Sequence, residues 1–257
     1  MTSDYLIYIG RFQPLHQGHL RTIGQALELA AKLIIIVGSA RQSRSYENPW
    51  SFAEREQLIR ACLPAEWQNR VYIVGISDRM YNDQQWIGEV QSAVDKVIAV
   101  DTANLASKPA EFRIGMIGSQ RAGEASYCDF FPQWHHVSSG EQAGLLAADI
   151  RHAYFDRERG GDYQRLSQQL PLPVAQFLDA FRSSETYATL CSEYAYIQDY
   201  RRSWARAPYP PTFVTVDSVV IHSGHILLVR RRSHPGKGLW ALPGGFVEMD
   251  EALEKAA

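Results

Sequence analysis

The stretch Tyr5-Leu6-Ile7-Tyr8-Ile9-Gly10-Arg11-Phe12-Gln13-Pro14-Leu15-His16-Gln17-Gly18-His19 decides the fold. Its opening apolar run suits a strand buried on both faces of a parallel sheet, and Gly10 ends it. Leu20, Ile23, Leu27 and Ala30 then fall at helical spacing, so a helix begins inside the motif. A second apolar run, Leu33 to Val37, closes before Gly38, and strand, crossover helix and strand make a right-handed parallel unit. Ligands of open parallel sheets bind at the carboxyl ends of the strands, where the Gly10 to His19 turn must lie. Free N–H groups and partial positive charge at a helix start favour phosphate, and Gly18 lets the backbone come close. His16 and His19 can donate hydrogen bonds to a phosphate as charge builds on it. Phosphoryl-type transfer needs that help more than it needs a nucleophile. A polar turn with surface histidines is the competing reading, and the position of the segment favours the first.

The same unit recurs downstream. Ser51 followed by Glu54 is a capping-box signature, opening a helix with Phe52, Leu58, Ile59 and Leu63 inward before a strand at Val71 to Ile76. A third helix is expected around Gln84 to Val94, with strands at Val97 to Val100 and Arg113 to Ile117. The pattern is a doubly wound α/β sheet. From Pro171 to Trp204 two amphipathic helices follow, and Ala207-Pro208-Tyr209-Pro210-Pro211 reads as a stiff linker. Beyond it Thr212 to Ile221 and Ile226 to Arg231 read as antiparallel strands turning at Ser223-Gly224, with Trp240 to Leu242 as another. The expected divisions are thus 1–170, 171–206, 207–211 and 212–257.

Composition sets limits. Of 257 residues, 46% are hydrophobic and 21% charged, which is the balance of a globular protein. A net charge of -2 gives no general attraction to nucleic acid or to an anionic membrane, so an anionic substrate must meet local charge. Cys62, Cys128 and Cys191 lack CxxC spacing, so neither a zinc site nor a disulfide framework is expected, and a reducing cytoplasm is. No signal peptide or membrane span is read.

His16-Gln17-Gly18-His19 after Gly10-Arg11-Phe12-Gln13-Pro14 resembles the HxGH signature of the adenylyl- and cytidylyltransferases. Gly38-Ser39-Ala40, Asn48-Pro49-Trp50-Ser51 running into Glu54-Arg55-Glu56, and Asp78, Asn82 and Trp86 resemble, more narrowly, the nicotinamide mononucleotide (NMN) adenylyltransferases of the archaeal type. The resemblance implies a Rossmann-like fold, ATP and NMN as substrates, magnesium with the ATP, and NAD as product. His16, His19 and Arg151 are then the catalytic candidates, with Arg151 on the leaving pyrophosphate. Gly10, Arg11, Phe12, Gly18, Arg121, Ser138 and Ser139 would contact ATP or its phosphates. Trp86 would stack on the cationic nicotinamide ring, Asn82 would read its carboxamide, and Arg41 and Arg44 would meet phosphate. Core packing for Trp86 and solvated charge for the loop arginines are the structural alternatives. Ala148, in Ala147-Ala148-Asp149-Ile150-Arg151, stands where the family commonly has a hydroxyl residue. Other acceptors (phosphopantetheine, flavin mononucleotide, a cytidylyl acceptor) and a non-catalytic nucleotide sensor are the rival functions; a homo-oligomer is left open.

Trp240-Ala241-Leu242-Pro243-Gly244-Gly245-Phe246-Val247-Glu248, with Glu251 after it, resembles the opening of a Nudix box. The acidic helix that holds magnesium in that motif would come after Ala257. Hydrolysis by this chain is therefore not expected, Glu251 supplies at most part of a metal site, and a longer parent with both activities, on ADP-ribose for the second, is what the resemblance implies.

Overall fold

A computed structural model of the chain describes residues 3–104, 111–118, 127–140, 146–157 and 160–257, with backbone alone at 128, 160 and 161. It divides into two compact units, Met1–Ser184 and Glu185–Ala257.

The first unit is built on a five-stranded sheet of order β3-β2-β1-β4-β5, in which every pairing is parallel. The strands are β1 (Ser3–Gly10), β2 (Ala30–Val37), β3 (Val71–Gly75), β4 (Ile114–Gly118) and β5 (His135–Ser138). The crossover helices are α1 (Gln17–Leu29), α2 (Phe52–Cys62) and α3 (Asp83–Asp101), followed by α4 (Ala147–Phe155), α5 (Gly160–Ser167) and α6 (Leu172–Phe181). Helices on both faces explain the unbroken apolar strands: Leu6, Ile7 and Leu33 through Val37 are wholly buried. The chain runs outward from β1 to β3, then returns to the other side of β1 for β4 and β5. The crevice where that order reverses, at the carboxyl ends of β1 and β4, is where such sheets bind ligands.

Two sequence expectations are corrected here. Val97 to Val100 is not a strand but the continuation of α3 to Asp101. Val90, Val94 and Ile98 lie four apart and join the core with Ile7, Ile9, Ile34 and Ile36; burying that stripe, at about 1.5–3 kcal/mol per large side chain, outweighs the β preference of a valine-rich run. The long strand expected over Thr212 to Ile221 is broken into β6 (Thr215–Asp217) and β7 (Ile221–His222). His135–Ser138 formed a strand that carried little signal, because this edge strand offers Val137 as its one aliphatic residue and is largely exposed.

Asp101 ends α3 beneath the sheet and draws three donors to its carboxylate. Tyr5 Oη donates at 2.6 Å, and Tyr72 Oη and Lys32 Nζ complete the set. Burial opposes the Asp101 charge, but those donors outweigh it and the carboxyl is held below its ordinary range.

The second unit holds α7 (Glu185–Trp204), three two-stranded antiparallel ladders and the short α8 (Leu253–Ala256). β6 pairs with β11 (Gly244–Phe246), β7 with β8 (His225–Ile226), and β9 (Val229–Arg230) with β10 (Trp240–Ala241). Gly224 at φ 75° closes the hairpin expected at Ser223-Gly224. Tyr200, Trp204, Phe213 and Phe246 form a chain of ring contacts that joins α7 to the ladders. Among the described residues no helix is long and apolar enough to cross a membrane.

Candidate active site

The turn leaving β1 folds as it does because its histidines cap α1 themselves. His16 is the N-cap: its Nδ1 accepts from Gly18 N at 3.1 Å, and His19 Nδ1 accepts from His16 N at 3.2 Å. This is a capping box made of two imidazoles. Both Nδ1 atoms act as acceptors, so in the neutral rings both Nε2 atoms carry the hydrogen. The rings stack with centroids 3.7 Å apart, and His19 also meets Phe12 at 4.9 Å. Desolvation first, and the neighbouring His16 second, hold His19 well below the ordinary imidazole value. The pair is thus set as neutral donors.

Phe12 has φ 52° and Ser39, in the loop leaving β2, also has φ 52°. Both lie in the left-handed region, which costs a non-glycine residue about 1–2 kcal/mol. A Cβ on Gly10 would sit 3.0 Å from the Phe12 ring, so any larger residue there would crowd it. Arg55, from α2, holds both loops. Its guanidinium donates to Arg11 O at 2.8 Å, Gly38 O at 2.7 Å and Ser39 O at 3.1 Å, and its Nε to Ser51 O at 3.3 Å. Gln13 adds a second tie, its amide pairing with Trp50 N at 3.1 Å and Trp50 O at 2.8 Å and with the Asn48 side chain. Asp78 Oδ1 accepts from Ser39 N at 3.1 Å. Arg55 and Gln13 stood in the motifs, yet nothing in the sequence marked them as the supports of the two loops.

Arg151, near the start of α4, comes back to this turn. Its side chain is 7% exposed and donates to Gln13 O at 2.5 Å, while its Nε is buried with no partner among the described residues. Burial, then the charge of Arg11, pushes Arg151 down to about 10. Burial likewise takes Arg55 to about 10, where Asp78 opposes the shift and Arg11 adds to it. Arg11 therefore presses on two buried guanidinium groups at one strand end, and an anion placed there relieves all three.

Ser138 ends β5 and Ser139 follows it, on the same carboxyl edge. Ser138 Oγ accepts from Gly140 N at 3.2 Å, Ser139 N donates to Gly118 O at 3.0 Å, and Ser139 Oγ is buried without a partner among the described residues. Asn82 caps α3, its Oδ1 accepting from Gln85 N at 3.0 Å. Trp86 is half-buried against Tyr127, Phe130 and Phe131. Arg44 is already engaged, donating to Pro49 O at 2.7 Å and to Glu54 at 3.0 Å. Arg41 is exposed and lines a recess with residues of β3 and α3. Arg121 lies outside the described residues. In the second unit Glu251 Oε2 accepts from Glu248 N at 3.1 Å, a local turn contact. Among the described residues no group of three or more His, Cys, Asp or Glu could hold a metal ion.

Comparison with known proteins gives the family. The family model described as cytidylyltransferase-like matches residues 7–136, and the NUDIX domain model matches residues 211–257. A nicotinamide/nicotinic acid mononucleotide adenylyltransferase of Acinetobacter baylyi is 34% identical over 74% of this chain and 93% of its own length. A nicotinamide-nucleotide adenylyltransferase of Ignicoccus hospitalis is 38% identical over 38% of this chain, which spans 58% of that relative. The crystal structure of a bifunctional NMN adenylyltransferase/ADP ribose pyrophosphatase from Francisella tularensis superposes with a TM-score of 0.85 at 34% identity, over 99% of this chain and 71% of the other. A second structure of such a bifunctional enzyme from that organism, with AMP and a manganese ion, gives a TM-score of 0.83. On these matches the chain belongs to the cytidylyltransferase-like family, in its mononucleotide adenylyltransferase branch, with a NUDIX segment following in the same chain.

Proposed function

We propose that the first unit transfers the adenylyl group of ATP to nicotinamide mononucleotide, making NAD and pyrophosphate in NAD biosynthesis. The observation that carries this is the stacked His16–His19 pair, with Nε2 donors set by its own capping box, beside Arg11 and the buried Arg151. The mononucleotide 5′-phosphate oxygen attacks the α-phosphorus of ATP, and the bond from that phosphorus to the bridging oxygen of the β-phosphate breaks. The electron pair of that bond leaves with pyrophosphate. His16 and His19 donate to the α-phosphate oxygens as their charge grows. Arg11 and Arg151 receive the pyrophosphate. Gly10, Phe12 and Gly18 shape the backbone around the phosphates, Ser138 and Ser139 lie on the ATP side, and Arg121 is proposed there from sequence alone. Trp86 and Asn82 take the nicotinamide ring and its amide. Magnesium enters on the triphosphate, as part of that substrate. Arg44, bound to Glu54, holds the loop that carries it.

The NUDIX segment extends the proposal. Continued through the acidic helix of the motif, it would hydrolyse a nucleoside diphosphate sugar, with ADP-ribose the substrate that the naming of the Francisella relative supports.

His19→Ala is expected to lower turnover of ATP and NMN by roughly 100-fold or more, read as NAD by chromatography, while NMN still binds. The substitution also removes the acceptor of His16 N. His19→Asn, whose short amide can keep that acceptor, separates the two effects and is expected to be equally slow. Near-normal turnover in either variant contradicts the role of His19.

A further inference from the structure

The recess that contains Arg41 lies along β3, an edge strand among the described strands, and along α3. It has a volume of about 500 Å³ and is walled by Tyr72, Val74, Ala93 and Val97. Tyr72 and Val74 alternate along β3, so one face of that strand meets the recess. Three cations line this recess, and they are not alike. Arg79 is closed on Glu89, its Nε donating at 2.9 Å. Arg41 and Lys96 line the same recess and show no ion pair or hydrogen bond among the described contacts. Ser77 and Ser92 add hydroxyls at the rim. Mostly apolar walls, a few convergent polar groups and a volume of several hundred Å³ are the features of a small-molecule site. Two uncompensated cations fix the sign of its ligand.

We propose that this recess is a second binding site, for a small aromatic anion of about mononucleotide size whose ring lies against Tyr72, Val74 and Val97 and whose acidic group reaches Arg41 and Lys96. The site shares α3 with Trp86 and shares, through Arg79, the loop that leads to the Asn82 cap. The Arg79–Glu89 pair fastens that loop to the second turn of α3. An anion that competes with Glu89 for Arg79 loosens the fastening and moves the nicotinamide side of the helix. Occupancy therefore changes the apparent KM for the mononucleotide and leaves the ATP side alone. Binding itself does not rest on the proposed adenylyl transfer; the effect on KM does.

The test uses anilinonaphthalene sulfonate, an aromatic anion whose fluorescence rises on binding, with AMP as competitor. Lys96→Glu and Val97→Asp place negative charge in the recess at residues outside the transfer machinery. The expected result is dye binding that AMP displaces, that saturating NMN leaves in place, and that each variant weakens tenfold or more. Turnover without effector stays within twofold of the parent. Circular dichroism of both variants guards against misfolding, and Lys96→Gln, which removes charge without adding any, is expected to weaken binding to a smaller degree. Dye binding that is absent, unchanged in all three variants, or abolished by NMN overturns the proposal. If the dye binds as expected and no dinucleotide ever forms, the second site stands and the adenylyl transfer falls.

Discussion

At the scale of single residues, the site depends on groups that substrates never touch. Arg55 binds the carbonyls of Arg11, Gly38 and Ser39. Its donors therefore satisfy two loops that leave neighbouring strands, each with a residue in the left-handed region. Arg55→Lys keeps the charge but has donors at one point only, so it cannot bridge the loops. We expect the variant to fold, to lose about 2–4 kcal/mol of stability in a denaturant titration, and to turn over at least tenfold more slowly. A kcat within twofold of the parent contradicts the positioning role. The histidines give a second prediction. With His19 held well below the ordinary imidazole value, it works as a neutral donor, and turnover does not require its protonated form. The pH–rate profile is expected to be flat as pH rises through about 6.5, the unperturbed value of histidine. A rate falling tenfold per pH unit above that point would show that the imidazolium is needed. The histidine motif was legible because both residues sit in one turn. Arg55 and Gln13 were not, because their partners are backbone atoms, which leave no mark in a sequence.

Among the elements, α2 and α3 carry the site from outside it. Ser51 and Glu54 close a capping box on α2, with Ser51 N donating to Glu54 Oε2 at 2.7 Å and Glu54 N to Ser51 Oγ at 3.3 Å. Ser51→Ala is expected to cost about 1 kcal/mol, seen as a lower thermal midpoint. The spacing of these two residues announced the helix start, since a cap is a local contact. The length of α3 was hidden for the opposite reason: Val97 to Val100 favours strand locally, and only the stripe Val90, Val94, Ile98 against the sheet keeps it helical. Asp101 fixes the far end of α3. Because its carboxyl is held below the ordinary value in the folded chain, it contributes stability that is complete above about pH 4 and is lost as pH falls through the folded value. Asp101→Asn is expected to flatten that acid limb of the stability curve and lower stability at neutral pH. An acid limb identical to the parent's contradicts the reading.

Over the whole molecule, the parallel class of the sheet was legible in its repeated strand–helix units, while the strand order and the position of β5 were not, because an exposed edge strand needs no apolar run. Its carboxyl end nonetheless brings Ser138 and Ser139 to the same edge as Gly10 and Gly118. The structure groups α6 with the sheet and α7 with the ladders. The central claim is that NAD is made where the turn leaving β1 meets the start of α1. A crystal structure of the chain with NAD bound tests it most directly. The diphosphate is expected within hydrogen-bond reach of His16 and His19, with Arg151 beside it and the nicotinamide ring against Trp86. A diphosphate bound elsewhere, with both histidines untouched, would contradict it.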